Sequence, residues 1–294
     1  MFPNALVMIG RDHRDRSVLD AVIDRHHTLG IRRVHLCHID NRDIVAGPLA
    51  ALVKPEAPVQ PPEVDAAAEH LRAALPPEVE VRVHFLVGPT EVVLCQVVDQ
   101  EDIDLVVMGR NPSVDGQPGW GSSRRKLLRL TTCSVLVVPQ GTRLNLSRVV
   151  CGMDFSQYAR LALGVACRIA DGVDTVYQYD PTAVADGGMK QEQFREHIGQ
   201  MAWKHLEEKV LPDLCDNPCR PNLIVHPGGQ VADVLIRYAG EQPIIMGSRG
   251  LSPLAAMLLG SAADRVAGRA LGPVLIVRKK GSVLGLLERL VHRG

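Results

Sequence analysis

The chain repeats itself once, and the length of the repeat limits the fold more than any other feature. Residues 104–110 (DLVVMGR) return as residues 242–248 (QPIIMGS), so that Gly247 answers Gly109, and residues 134–139 (SVLVVP) return as residues 273–278 (PVLIVR). The openings correspond too: residues 5–10 (ALVMIG) and 149–154 (VVCGMD) are both apolar runs that enter a polar turn. A period of about 140 residues is too long for a solenoid unit and suits a whole domain. The 294 residues are therefore expected to form two like domains, at 1–142 and 143–280, with a short tail at 281–294.

Within each copy, short runs rich in β-branched residues alternate with longer helical stretches. That alternation predicts an α/β fold, a parallel sheet with helices on both faces. In the first copy strands are expected near 4–10, 32–39, 79–87, 104–109 and 134–139, and helices near 14–28, 62–76, 89–101 and 121–131. In the second, strands fall near 147–153, 173–179, 221–226, 242–247 and 273–278, with helices near 156–171, 187–212, 229–240 and 260–271. The strand runs are apolar without strict alternation, as strands covered on both sides should be. Residues 41–61, with four prolines, read as a loop. In the tail, Val283, Leu284, Leu287, Leu290 and Val291 fall at helical spacing.

Charge narrows the function. Lys plus Arg number 33 and so do Asp plus Glu, and neither half carries the basic excess that binding a phosphate backbone needs, which argues against nucleic acid as a partner. The longest apolar runs, such as Val135 to Val138, fall far short of the roughly 20 residues of a membrane-spanning helix. The N-terminus lacks the basic start and long apolar stretch of a secretory signal. Seven scattered cysteines without a C-x-x-C pair read as reduced thiols. A cytoplasmic location is expected.

The chemistry is concentrated in Met246-Gly247-Ser248-Arg249-Gly250, followed by nine residues and then Gly260-Ser261, set between a strand and a helix. Gly247 and Gly250 let the backbone turn off the strand and let a ligand come close. Gly260 and Ser261 fall where free amides and the positive end of a helix dipole face an anion. Isolated glycines at strand ends often serve only as turns, but four positions in register point to phosphate binding.

G-x2-G-x9-G-[S/T] after a strand, followed by a Pro-Val-Leu-Ile-Val strand, resembles the universal stress protein family, in a tandem form that covers both copies. The resemblance implies two five-stranded sheets of the adenine nucleotide alpha hydrolase-like type, with strand order 3-2-1-4-5 and an adenine nucleotide at the carboxyl ends of the strands. That position agrees with the switch-point rule for open α/β sheets. It also implies the site residues of the second copy. Asp154 matches the aspartate that meets the adenosine portion, with Gly152 beside it. Met246 and Gly247 line the adenosine pocket, Gly250 marks the bend towards the phosphates, and Gly260, Ser261 and Ala262 supply phosphate amides, with Arg249 adding charge. The second strand departs from the family in ending Tyr177-Gln178-Tyr179-Asp180 in place of a small aliphatic residue. Tyr179 either stacks on the base or crowds it.

The first copy departs further. Gly10 replaces the aspartate, Pro112 stands at the second glycine, and the spacing to Gly121 is one residue shorter. Proline removes an amide donor and φ freedom where the motif uses both, so this copy reads as a degenerate nucleotide site. Arg110, Arg124, Arg125 and Lys126 around its helix start suit either a solvated basic face or a different anion. His35 and His38 project to opposite faces of one strand and cannot chelate a metal together. No compact ligand set is visible, and no metal-ligating residue is assigned. Cys215 and Cys219 read as free loop thiols. Arg278, Lys279 and Lys280 open the tail, which is expected to pack on its own domain.

The expected function is a nucleotide-dependent interaction module of the stress response. It would bind ATP, or AMP or ADP, in the second domain, with Mg2+ or Mn2+ bridging phosphates if a metal takes part, and act on a protein partner that the residues do not name. No catalytic residue is assigned, because no Lys follows the glycines and no base is placed by the motif. A slow Mg/Mn-dependent ATPase and a scaffold with empty sites are the alternatives. Single-domain relatives commonly pair through their final strands, so fusion predicts an intrachain pseudo-dimer joined at Val135 to Val138 and Val274 to Val277. Homodimers through other surfaces stay open.

Overall fold

In the computed structural model the described residues are 1–10, 16–40, 60–110, 122–184, 191–214, 220–250 and 259–280. Most of the expected proline-rich loop, Pro112 and Gly121, both loop cysteines and the tail helix lie outside them. The chain divides into two units, Met1–Arg143 with Lys280–Gly294, and Leu144–Lys279. Lys280 sits with the first unit because its ammonium group meets the carboxylates of Asp102 at 2.8 Å and Asp104 at 2.7 Å.

The first unit runs β1 (Asn4–Met8), α1 (Arg16–Leu29), β2 (Arg33–Asp40), α2 (Pro62–Ala74), β3 (Glu80–Val87), α3 (Thr90–Gln100), β4 (Leu105–Arg110), α4 (Ser122–Leu130) and β5 (Ser134–Pro139). Its strands pair in parallel in the order β3-β2-β1-β4-β5. The centre of the sheet is aliphatic on both faces: Leu6, Val7, Leu36, Val106 and Val107 have no exposed surface. This is the expected consequence of covering a parallel sheet twice.

The second unit runs β6 (Val149–Met153), α5 (Gln157–Ile169), β7 (Val173–Tyr179), α6 (Gln191–Lys209), β8 (Asn222–Pro227), α7 (Val231–Ala239), β9 (Ile244–Gly247), α8 (Ser261–Arg269) and β10 (Val274–Val277). Its parallel order β8-β7-β6-β9-β10 repeats the first. Both units thus have the 3-2-1-4-5 order. From β6 the chain steps to β7 and β8 on one side, then crosses to β9 and β10 on the other. The crevice between the carboxyl ends of β6 and β9 is therefore the topological switch point, where open α/β sheets bind ligands.

Helix α5 forms because Ala159, Ala162, Leu163, Ala166 and Ile169 bury one stripe at helical spacing, while Ser156 caps its start by accepting the Ala159 amide at 3.2 Å. Burial of Leu163, which has no exposed surface, stabilises the unit by about 1.5–3 kcal/mol. Glycines let two helices reach the sheet. A Cβ on Gly247 would lie 2.7 Å from the Tyr158 backbone in α5, and one on Gly152 would lie 3.0 Å from Leu235 in α7. The register pairs Cys151 with Ile245, so Gly152 and Gly247 fall on alternate positions and opposite faces of the sheet. Helices α5 and α7 thus cover opposite faces beside the switch point. Among the described residues, no helix is long and apolar enough to cross a membrane.

Candidate functional site

The site begins where β6 ends. Asp154 is followed by Phe155 at φ 61°, a left-handed conformation that a non-glycine residue rarely adopts. Surrounding contacts hold it there. The Phe155 ring packs against Tyr177 at 5.1 Å and edge-on to His205 at 4.9 Å, and its carbonyl accepts the Arg160 Nε–H at 3.1 Å. Asp154 Oδ1 accepts the Ser156 amide at 3.0 Å. The turn therefore fixes the aspartate at the strand's end and hands the chain to a capped helix. Nothing in the sequence signalled that Phe155 would carry the strain, because aromatic residues are not turn formers.

Beyond β9, the Ser248 amide donates to the Val277 carbonyl of β10 at 3.1 Å, and the Ser248 carbonyl accepts the Gly260 amide at 2.7 Å. These two bonds tie the start of α8 to the end of the sheet. Unlike α5, α8 begins on Gly260 without a side-chain cap. Its first intrahelical bond runs from the Asp264 amide to the Gly260 carbonyl at 3.0 Å. The amides of Ser261, Ala262 and Ala263 precede that bond, as the first amides of any helix do, and an uncapped helix start is a natural anion seat. The amide of Gly260 itself is spent on Ser248, which refines the expectation that it would face a ligand.

One cavity gathers most of the expected residues. Gly152, Asp154, Met246, Gly247, Arg249, Gly250, Gly260 and Ala262 all line it, together with Met153, Ala159, Val231, Ser248 and Ala263. Arg249 lies over the Tyr158 ring at 5.8 Å, which holds a cationic group at the rim. Two expected residues do not line the cavity. Ser261 is exposed at the first position of α8. Tyr179 is buried with its ring 5.8 Å from Phe194 of α6, and its carbonyl accepts the Gly228 amide at 2.8 Å. Its neighbour Asp180 accepts both the Thr182 amide and hydroxyl, at 2.9 and 2.7 Å, and these bonds hold its carboxyl below the usual range. The end of β7 is thus built as a turn.

Gly247, Gly250 and Gly260 are all absent from the left-handed positions of the chain. Their smallness matters for space, and the neighbours that need it belong to the protein: Tyr158 against Gly247, and Asp154 Oδ2 at 2.6 Å from a Cβ on Gly250. Val231 was missed because an apolar first residue of α7 reads as core. The Pro227-Gly228-Gly229 turn before it, with φ 64° and 87° at the glycines, was the available signal. In the first unit, Gly10 is exposed and Arg110 half-buried at the end of β4.

The model of the universal stress protein family matches residues 1–139 and again 145–278. No curated protein matches the sequence. Among solved structures, a universal stress protein of Archaeoglobus fulgidus aligns with a TM-score of 0.59 at 17% identity, covering 94% of this chain and 96% of that one. A functionally unknown protein of Pseudomonas aeruginosa aligns with a TM-score of 0.66 at 16% identity, covering 100% of this chain and 98% of that one. At these identities the structures attest the fold, and the family match carries the assignment. With the motif, the doubled strand order and a match in each half, the chain belongs to the universal stress protein family as a tandem member.

Proposed function

We propose that the second unit binds an adenine nucleotide, ATP or its ADP or AMP relatives, in the cavity at the carboxyl ends of β6 and β9, and that the protein works in the cytoplasm as a nucleotide-dependent interaction module of the stress response. The observation that supports this most is the meeting of Asp154, Gly250 and the uncapped start of α8 around one cavity. The carboxylate can accept hydrogen bonds from an amino group or ribose hydroxyls. The amides of Ser261, Ala262 and Ala263 suit a polyphosphate, with Arg249 adding charge. If Mg2+ or Mn2+ accompanies the nucleotide, Asp154, the one carboxylate among the described lining residues, is the side chain that would help hold it.

Those lining residues include no Lys and no His. The arrangement therefore suits ground-state binding better than activation of water, and any ATPase turnover is expected below about 1 s⁻¹, the lower edge of ordinary enzymes. Chromatography of the nucleotide released on denaturing the purified protein, followed by calorimetric titration with ATP, ADP and AMP, tests the reading. About one adenine nucleotide per chain supports it. No released nucleotide and no heat of binding would overturn it and leave a scaffold.

A further inference from the structure

The first unit, whose nucleotide motif has lost its aspartate and second glycine, brings together a different set of donors. His35 lies in β2 and His84 in β3, and the register pairs His35 with Arg82 and Cys37 with His84. Residues two apart on a strand share a face, so the two histidines are diagonal neighbours on one face of the sheet. Glu101, the residue that caps the C-terminus of α3, reaches them from the helix. His35 Nδ1 is 2.9 Å from His84 Nε2 and 3.8 Å from Glu101 Oε2. One donor atom from each of the three residues lies within 4.8 Å of the others.

We propose that His35, His84 and Glu101 form a divalent metal site of the Zn2+ class, with a fourth position open to water. The geometry fits. Tetrahedral zinc with bonds of roughly 2.0–2.1 Å places its ligand atoms about 3.3 Å apart, and the observed 2.9 and 3.8 Å separations bracket that value. His84 and Glu101 are both only partly buried, so they are the two side chains that would adjust around a fixed His35. His35 is fully buried and so a fixed donor, whereas the Glu101 side chain keeps 30% exposure and opens the site to solvent. A proton shared by the rings satisfies two donors, and a divalent cation satisfies three.

The surroundings favour lone pairs over protons. Burial first, and then the neighbouring His84, lowers His35 to about 4. Burial also lowers His84, against the pull of Glu101. Both shifts run towards the neutral ring, the form that binds a metal. Arg82 stands 3.3 Å from Glu101, but its Nε is held by Glu80 at 2.6 Å, so it keeps a partner when Glu101 turns. Two imidazoles with one carboxylate select zinc and its transition-metal neighbours over Mg2+ and Ca2+, which prefer all-oxygen sets.

The test uses the full chain stripped with chelator. Zn2+ is titrated in competition with a chromophoric chelator, and Co2+ is followed by its visible absorption. One tight equivalent is expected, with Co2+ bands of a low-coordinate nitrogen and oxygen site. Loss of an outer-shell partner costs roughly 10–100-fold in affinity, so removal of a direct ligand in His84→Gln or Glu101→Gln should cost at least about 100-fold. Circular dichroism confirms that each variant is folded. Should His84→Gln fail to fold, Glu101→Gln, at a partly exposed helix end, decides alone. Zinc affinity unchanged in the folded variants, or wild-type protein without visible Co2+ bands, overturns the site. Neither readout depends on nucleotide, so failure here leaves the second unit's cavity untouched.

Discussion

A methyl group on Gly250 would stand 2.6 Å from Asp154 Oδ2. The two residues are far apart in sequence, yet the carboxylate reaches into the space that a side chain at 250 would take. Gly250→Ala should therefore displace Asp154, and nucleotide affinity should fall by about 1–3 kcal/mol, as for a polar group left without its partner. Asp154→Ala should cost a similar amount. Because both substitutions damage one interaction, they should not add. Calorimetric titration of the double variant checks this, and a sum of the two single losses would show that Gly250 acts on the ligand without Asp154.

Gly260→Val probes the phosphate end separately. Gly260 has φ −75°, which any residue adopts, and its nearest neighbours would lie 3.4 Å and 3.5 Å from a Cβ. The fold should tolerate the change, but the branched side chain would stand at the start of α8, beside the amides of Ser261 and Ala262. ATP affinity should fall towards that of adenosine, which makes no phosphate contacts. Titrations with ATP and adenosine on wild type and variant give the comparison, and an undiminished preference for ATP would move the phosphates elsewhere.

Gly247 should behave in the opposite way. A Cβ there meets the Tyr158 backbone carbon at 2.7 Å and its oxygen at 2.8 Å, and backbone cannot swing aside as a flexible side chain can. Gly247→Ala should cost about 1–3 kcal/mol of stability through overpacking, with or without nucleotide. The measurement is the urea midpoint at constant slope. A wild-type midpoint with weakened nucleotide binding would instead make Gly247 a ligand contact.

These three glycines show how far the sequence could be read. The repeat, the alternation of strands and helices and the crowding of residues 246–250 and 260–262 at a strand-to-helix junction were legible, because β-branched runs and glycine spacing are local signals; the strand order came only with the family resemblance. What presses on each glycine was not legible, since Tyr158 and Asp154 come from another strand-to-helix junction and meet them only through the β6–β9 register. Tyr179 has the same cause: as the last residue of β7 it was placed near a ligand, and only packing of α6 shows that Phe194 takes its ring. The grouping of His35, His84 and Glu101 was invisible for a related reason. In sequence His35 lies beside His38, whereas its partners arrive from β3 and the end of α3 through sheet register.

The last prediction concerns pH and lies at the other end of the second sheet. Asp174 of β7 has a side chain only 4% exposed, and it accepts two bonds from Arg148, each of 2.7 Å. Asn222 and Tyr238 add bonds at 3.2 and 3.4 Å. The Arg148 bonds, more than any other cause, hold the carboxyl below its ordinary value, and burial opposes them. A depressed acid in the folded state binds its proton later than in the unfolded chain. Its contribution is therefore fully present above the unfolded value near 3.9, and is lost as pH falls through the folded one. Asp174→Asn keeps the shape but not the charge, so it should cost about 1–3 kcal/mol at neutral pH. The cost should stay level down to about pH 5 and shrink as the carboxyl of the wild type is titrated below that. Thermal unfolding of both proteins between pH 7 and pH 3 measures the gap, and a gap that stays constant down to pH 3 would show that it does not come from the charge of the Asp174 carboxylate in its pair with Arg148.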